Sequence, residues 1–245
     1  MIRNRVNEMT DFHSHILPGI DDGAQNLDMA VKMLDMEADS GVHTIVATPH
    51  FYLSKQNLQD FCQNRLAAYE ELSPYANERD IHIVCGAEVY YTPSLADIDL
   101  SQLCIGDTGY MMIELPYTKL SDGFIRSFHS FLGNISSEIT PILAHAERYL
   151  SFTDENSLYE IMNTDMLVQV NAGSFKPFSS QLKFIRGLLK HNMVHLLGTD
   201  CHNTSTRPPN INTARKIIEK KFSVRCFANL MINAEMVLSG ETIGE

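Results

Sequence analysis

Chemistry first shows itself at Asp11-Phe12-His13-Ser14-His15. In an extended strand, residues two apart share a face, so His13 and His15 project side by side with Ser14 turned away. Two imidazoles on one face at a strand end are half of a metal site, because neutral imidazole is the commonest protein metal ligand. The turn that follows, Leu17-Pro18-Gly19-Ile20-Asp21-Asp22-Gly23, delivers two carboxylates close behind the rings. In a chain with ten histidines such a pair is weak by itself. The other ligands must come from elsewhere.

They come from one recurring position. Short apolar runs occupy 9–13, 43–48, 81–87, 110–115, 140–144, 166–170 and 194–198. After the second comes Pro49-His50, and the third ends in Gly86-Ala87-Glu88. The fourth ends in Glu114-Leu115-Pro116, the fifth in Ala144-His145-Ala146-Glu147-Arg148, and the last in Gly198-Thr199-Asp200-Cys201-His202. Only the run ending in Asn171-Ala172-Gly173-Ser174 offers no strong ligand. The histidines supply an internal control. His43, His82 and His195 stand at strand starts and His129 and His191 in helices, which reads as rim or solvated. His13, His15, His50, His145 and His202 stand at or just past strand ends, where parallel strands would bring them together. Glu88 and Glu114 point the same way, since a carboxylate ending an apolar strand is costly unless paired or metal-bound. The convergence predicts a multinuclear metal site.

The elements that position these residues follow from periodicity. Between and after the runs lie amphipathic segments at 27–39, 58–79, 123–132, 155–162, 181–190, 211–221 and 224–238. Nearly continuous apolar strands, each followed by a helix, predict a parallel sheet covered on both faces. Seven such units favour a closed α/β barrel over an open sheet, with the site at the C-terminal ends of the strands. Met29, Met33 and Met36 have helical spacing and read as core packing. Lys216, Lys220 and Lys221 read as a solvated helix face.

At 245 residues the chain fits one barrel domain of about 250 residues, taken as 1–245 with 1–8 an N-terminal extension and Met9 an alternative start. No apolar run reaches the roughly 18 residues of a membrane span, and no secretory h-region is visible. Five cysteines without a Cys-x-x-Cys pair suggest a reduced, cytoplasmic setting. A net charge of −11 disfavours nucleic-acid binding. It leaves an anionic substrate open, because bound divalent cations would invert the field locally.

Taken together, His13-Ser14-His15 with Asp21-Asp22-Gly23, Thr48-Pro49-His50, Gly86-Ala87-Glu88, Glu114-Leu115-Pro116, Ala144-His145-Ala146-Glu147-Arg148-Tyr149 and Asp200-Cys201-His202 with Arg207-Pro208-Pro209 resemble the PHP (polymerase and histidinol phosphatase) superfamily. Within it they are most similar to bacterial capsular-polysaccharide tyrosine phosphatases of the CpsB type, over about residues 9 to 238. The resemblance implies a distorted TIM-like (β/α)7 barrel holding three divalent metal ions, usually manganese. It assigns His13, His15, Glu88 and Asp200 to one metal. Glu88 bridges to a second, held also by Glu114 and His145, and Asp22, His50 and His202 take the third. Asp21 is the less favoured ligand of its pair, with a one-residue slip left open. Arg148 and Arg207 match the arginines that contact the phosphoryl group. The implied substrate is a phosphotyrosine protein, the tail of an exopolysaccharide tyrosine kinase. This chain departs from better-known members at Phe51-Tyr52 and Val89-Tyr90-Tyr91, which flank the cleft and would shape specificity; the Tyr90-Tyr91 pair reads as cleft lining and, equally, as rim or core.

The mixed nitrogen and oxygen set suits Mn²⁺, Zn²⁺ or Fe²⁺ more than Ca²⁺. Metal-activated hydroxide attacking phosphorus in line is the expected mechanism, with the arginines neutralising the equatorial oxygens. Cys201 and Arg207 have the Cys-x5-Arg spacing of cysteine-dependent tyrosine phosphatases, but the intervening loop has no glycine and Asp200 adjoins the thiol. Both features oppose a thiolate nucleophile in a backbone cradle. The alternatives are a PHP phosphatase for a small metabolite such as histidinol phosphate, or a metal-binding regulatory module with little turnover.

Overall fold

The apolar runs become strands: β1 (Met9–Ser14), β2 (Val42–Ala47), β3 (His50–Phe51), β4 (His82–Cys85), β5 (Glu88–Tyr90), β6 (Tyr110–Glu114), β7 (Thr140–Leu143), β8 (Leu167–Asn171) and β9 (Leu196–Gly198). This is a computed structural model that describes residues 9–243, so the extension expected over 1–8 lies outside the described residues. Helices α1 (Leu27–Asp39), α2 (Leu58–Asn77), α3 (Asp122–Ile135), α4 (Glu155–Met162), α5 (Ser180–Lys190), α6 (Ile211–Lys221) and α7 (Val224–Leu238) fill the predicted amphipathic segments. Short polar side chains start most of them. Asn26, Asn57, Ser121, Asp154, Ser179 and Ser223 each accept a bond from a backbone N–H of the first turn.

Every strand pairing among the described residues is parallel, giving one sheet ordered β1-β2-β4 and another ordered β3-β5-β6-β7-β8-β9. Two predicted runs, 43–48 and 81–87, are thus each followed, after a break, by a short further strand, β3 and β5. The first break falls at Thr48-Pro49, where proline has no N–H to give the ladder. The second falls at Gly86-Ala87, where a Cβ on Gly86 would lie 2.9 Å from Ile105. Backbone bonds carry the alignment across both breaks: Thr48 N to Ser14 O (2.9 Å), Gly86 N to Ala47 O (2.8 Å) and Glu88 N to Pro49 O (3.0 Å). The first and last strands also meet. Asp200 N donates to His13 O (2.7 Å), His15 N donates to Cys201 O (3.0 Å), and Ser14 bridges Cys201.

One expectation needs correction. The step from β5 to β6 has no α-helix; two 3-10 turns, Pro93–Asp97 and Leu100–Leu103, make the crossover. Pro93, and Ser94, Asp97, Asp99 and Ser101 spaced between apolar residues, favour turns over a helix.

Alternation along the strands builds two cores. Val46, Met112, Ile142 and Leu196 face one cluster with Phe12 and with Ala234 and Val237 of α7. Their neighbours Ile45, Met111, Ile113, Leu143 and Leu197 face the other cluster, with the packing helices. Both faces are thus apolar, and the polar side chains collect where the strands end.

Candidate metal centre

At the end of β1, His13 and His15 lie side by side with their Nε2 atoms 3.1 Å apart. Glu88, opening β5, brings Oε2 to 3.3 Å from His13 Nε2 and 3.1 Å from His15 Nε2. Asp200, just past β9, brings Oδ1 to 3.6 and 3.4 Å from the same two nitrogens. All four residues are buried. Glu88 Oε2 and Asp200 Oδ1 have no hydrogen-bond partner, although each is enclosed by ring nitrogens. Buried lone pairs converging without partners are costly unless a cation sits among them, so this donor set fits a divalent metal.

The cluster extends on both sides. His50, Glu88 and Glu114 form a second close group, and His15, Asp22, His50 and His202 a third. His145 also reaches the second, with Nε2 at 2.5 Å from Glu88 Oε1 and 3.7 Å from Glu114 Oε1. Asp22 Oδ1 lies 3.5 Å from Nε2 of both His50 and His202, while Asp22 itself remains exposed. All nine candidate ligands are therefore brought into one cluster. His43, His82, His129, His191 and His195 belong to none of these groups among the described residues. His195 instead accepts a bond from Val168 N at the start of its strand (2.9 Å).

Charge in this cluster is strongly coupled. Burial pushes the Glu88 carboxyl up, but His13, His145 and His50 outweigh it and hold it well below the usual range. Asp200 behaves likewise beside His13 and His15. Glu114 is pushed up to about 7 by burial and by Glu88. Burial drives His145 down to about 4, and burial with His15 drives His202 down to about 3. Both rings are thereby kept neutral at pH 7, the form that offers a lone pair.

A set of orienting groups holds the rings. Asp21 Oδ2 accepts from His15 Nδ1 (2.7 Å) and from His50 N (2.9 Å), which leaves His15 Nε2 free to face the cluster. Asp21 thus positions while Asp22 faces the third group. Gln169, buried in β8, accepts from His145 N (2.6 Å) and from His13 Nδ1 (3.3 Å). Asn171 donates to Asp200 Oδ2 (2.8 Å) and accepts from Gln169 Nε2 (2.9 Å). Buried Asp11 accepts from Thr199 and from His13 N, tying β1 to the loop after β9. Close approach does the rest: a Cβ on Gly198 would collide with His13 Cβ and lie 2.7 Å from its N. His145 and Asp200 both adopt left-handed backbone, with φ of 33° and 54°, a conformation unfavourable to non-glycine residues and common at functional sites.

Sequence reasoning missed Gln169, Asn171 and Asp11. A lone glutamine within Leu167-Val168-Gln169-Val170 was the available signal, because a polar side chain in a buried strand needs a partner.

The two arginines flank the cluster and share one carboxylate oxygen. Arg148 Nη1 and Arg207 Nη2 lie 2.8 and 2.6 Å from Asp200 Oδ2. Arg148 also lies over the Tyr117 ring, 5.0 Å from its centroid. Tyr91 is buried among Phe124, Phe128 and Phe131, whereas Tyr90 is half-buried against Tyr52, beside His50. Cys201 is fully buried, and burial followed by the charges of Glu37 and Asp11 pushes its thiol well up. Its Sγ lies 3.1 Å from Ser14 Oγ. The thiol is inert and inaccessible, as expected of a structural cysteine.

A parallel α/β sheet with imidazoles, carboxylates and paired arginines at its strand ends defines a class of metal-dependent hydrolase scaffold, and comparison with known proteins agrees. Residues 9–239 match the family model described as "Capsular polysaccharide synthesis, CpsB/CapC". The chain belongs to that family. It is 30% identical over 246 residues to the tyrosine-protein phosphatase YwqE of Bacillus subtilis, covering 96% of this chain and 93% of that protein. It is 30% identical over 242 residues to the tyrosine-protein phosphatase CpsB of Streptococcus pneumoniae, covering 92% and 96%. A solved structure from work on YwqE and CpsB, described as unique metal-dependent tyrosine phosphatases, superposes with a TM-score of 0.81 at 26% identity, covering 96% of each chain.

Proposed function

We propose that the chain is a metal-dependent tyrosine-protein phosphatase of capsular or exopolysaccharide synthesis. The observation that carries this reading is the convergence of His13 Nε2, His15 Nε2, Glu88 Oε2 and Asp200 Oδ1, with Arg148 and Arg207 both held on the far oxygen of Asp200. The names of the family's relatives support it. The strand lines joined across Thr48-Pro49 and Gly86-Ala87, with β1 bonded to the segment after β9, support a seven-stranded distorted barrel whose site lies at the C-terminal strand ends.

His13, His15, Glu88 and Asp200 would hold one cation, Glu88, Glu114 and His145 a second, and Asp22, His50 and His202 a third. Manganese is the proposed metal, with iron or zinc as alternatives, because the donors mix nitrogen and oxygen. Such ions supply Lewis acidity and an ionised water near neutral pH. The chain's own groups do the remaining work. Arg148 and Arg207 bind and orient the phosphoryl oxygens and offset their charge, and Asp200 keeps both guanidinium groups in place. An adjoining cleft of about 260 Å³, walled by Tyr117 and Phe152 and bordered by Arg148, suits an aryl ring. A phenolate leaving group, with a parent pKa of about 10, departs without a strong general acid.

Among the described residues no helix is long and apolar enough to cross a membrane. The proposed setting is cytoplasmic, the substrate a tyrosine kinase of the same synthesis system. The test compares a phosphotyrosine peptide with histidinol phosphate at equal metal occupancy. Faster turnover of the peptide supports the proposal; preference for histidinol phosphate replaces it with a small-molecule phosphatase. No turnover of either leaves a metal-binding regulatory module.

A further inference from the structure

A second cleft, of about 420 Å³, is also bordered by Arg148 and is lined by Arg207, Asp200, Asn171, Gln181 and Lys176 among others. Its charge stands out against a chain of net −11. Three cations line it against one carboxylate, and that carboxylate, Asp200, is already bound to Arg148, Arg207 and Asn171 through Oδ2. Lys176 is exposed and has no ion-pair partner among the described residues. If the two arginines take the phosphoryl group, the cleft still holds one free cation beside it.

The same loop carries a second unusual feature. Two residues beyond Lys176, Phe178 is fully exposed and holds left-handed backbone at φ 65°. A bulky side chain is strained in that conformation, and such strain clusters at ligand-contacting segments. Gln181, opening the first turn of α5, borders both this cleft and the Tyr117–Phe152 cleft, so the two meet at Arg148 and Gln181. An occupant spanning both would place an aryl phosphate at the centre, its ring on the aromatic side and a neighbouring group on the basic side. That shape and polarity fit an extended polypeptide better than a small phosphate ester.

We infer that Lys176 and its cleft form a specificity subsite for an acidic side chain flanking the phosphotyrosine, so that the preferred substrate is an acidic phosphopeptide. The inference rests on the phosphatase reading above. Charge complementarity carries it: with the arginines taken up by Asp200 and the phosphoryl group, a flanking carboxylate would meet the Lys176 ammonium, which has no ion-pair partner among the described residues.

The test uses metal-loaded protein, p-nitrophenyl phosphate, and two phosphotyrosine peptides that differ only in having glutamates or glutamines around the phosphotyrosine. The wild-type chain should favour the glutamate peptide about fivefold in kcat/KM, as one partly exposed ion pair allows, with the preference shrinking at high salt. Lys176→Ala should bring the ratio of the two peptides close to one, and Lys176→Glu should invert it. Equal wild-type turnover of the two peptides overturns the inference, as does a ratio unaltered in Lys176→Glu. Because p-nitrophenyl phosphate has no flanking residue, its turnover separates the two readings. Turnover without peptide discrimination refutes the subsite alone, whereas no turnover refutes the phosphatase reading and the subsite with it.

Discussion

Replacing Gln169 by leucine tests how far the centre depends on groups that would never touch a metal. Gln169 is fully buried, and its Oε1 is the acceptor for both His145 N and His13 Nδ1. The second bond places the His13 ring proton on Nδ1 and leaves the Nε2 lone pair directed at His15, Glu88 and Asp200. Leucine is close in size but accepts nothing. Two buried donors lose their partner at about 1–3 kcal/mol each, and Val170 O and Asn171 Oδ1 lose the bonds from Gln169 Nε2, so a stability loss of at least about 3 kcal/mol is expected in the metal-free protein. Loss of an orienting partner typically weakens metal binding 10–100-fold, and the same range is expected here. Gln169→Glu keeps the acceptor that fixes the His13 tautomer and should bind metal more tightly than the leucine variant, while its second oxygen, set against Val170 O and Asn171 Oδ1 where Gln169 Nε2 donates, keeps it below wild type. Calorimetric titration of metal into apo protein, with thermal melts in parallel, reads both effects. Wild-type metal affinity in Gln169→Leu would refute the reasoning, and so would equal affinity in the leucine and glutamate variants.

Other groups give sharper local tests. Burial pushes the Glu147 carboxyl up to about 7 from its ordinary 4.5. Between those values the folded chain keeps a proton that the unfolded chain has released, so this contribution is full below pH 4.5 and is lost as pH rises through 7. Glu147→Gln should remove about 3 kcal/mol of that decline, read as a smaller difference between denaturant melts at pH 5 and pH 8. Cys201→Ser should keep most phosphatase activity, because the thiol is buried among Ser14, Glu37 and Asp11; near-complete loss in a folded variant would restore a thiol mechanism. Asp22→Ala should lower the bound metal by one equivalent and spare the rest, since among the described residues Asp22 belongs to the third group alone, with His15, His50 and His202. Elemental analysis checks this, and an unchanged stoichiometry would remove Asp22 from the ligand set.

Much of this architecture was readable because it follows from periodicity and position. Parallel strands covered on both faces must be apolar throughout, so a His, Asp or Glu at the end of such a run is conspicuous, and Glu88, Glu114, His145 and Asp200 all stood out in this way. The parity of His13 and His15 likewise translated directly into neighbouring Nε2 atoms. What escaped depends on contacts between distant segments. Asp21 and Asp22 are chemically alike, and only the fold shows one bonded to His15 and the other facing His50 and His202. Gln169 serves His13 from 156 residues away. The helix expected in every crossover failed between β5 and β6, where 3-10 turns suffice to return the chain. Left-handed backbone at His145 and Asp200 has no sequence signature, since neither residue is glycine.

The central claim is that hydrolysis of phosphotyrosine depends on cations held by the cluster around His13 and His15. The most direct measurement is phosphotyrosine-peptide turnover before chelation, after exhaustive chelation, and after manganese is restored, with bound metal counted at each stage. Activity should fall in step with loss of metal and recover on restoration, with His13→Ala and His15→Ala neither retaining full metal nor recovering. Undiminished turnover by protein shown to be free of metal would contradict that dependence.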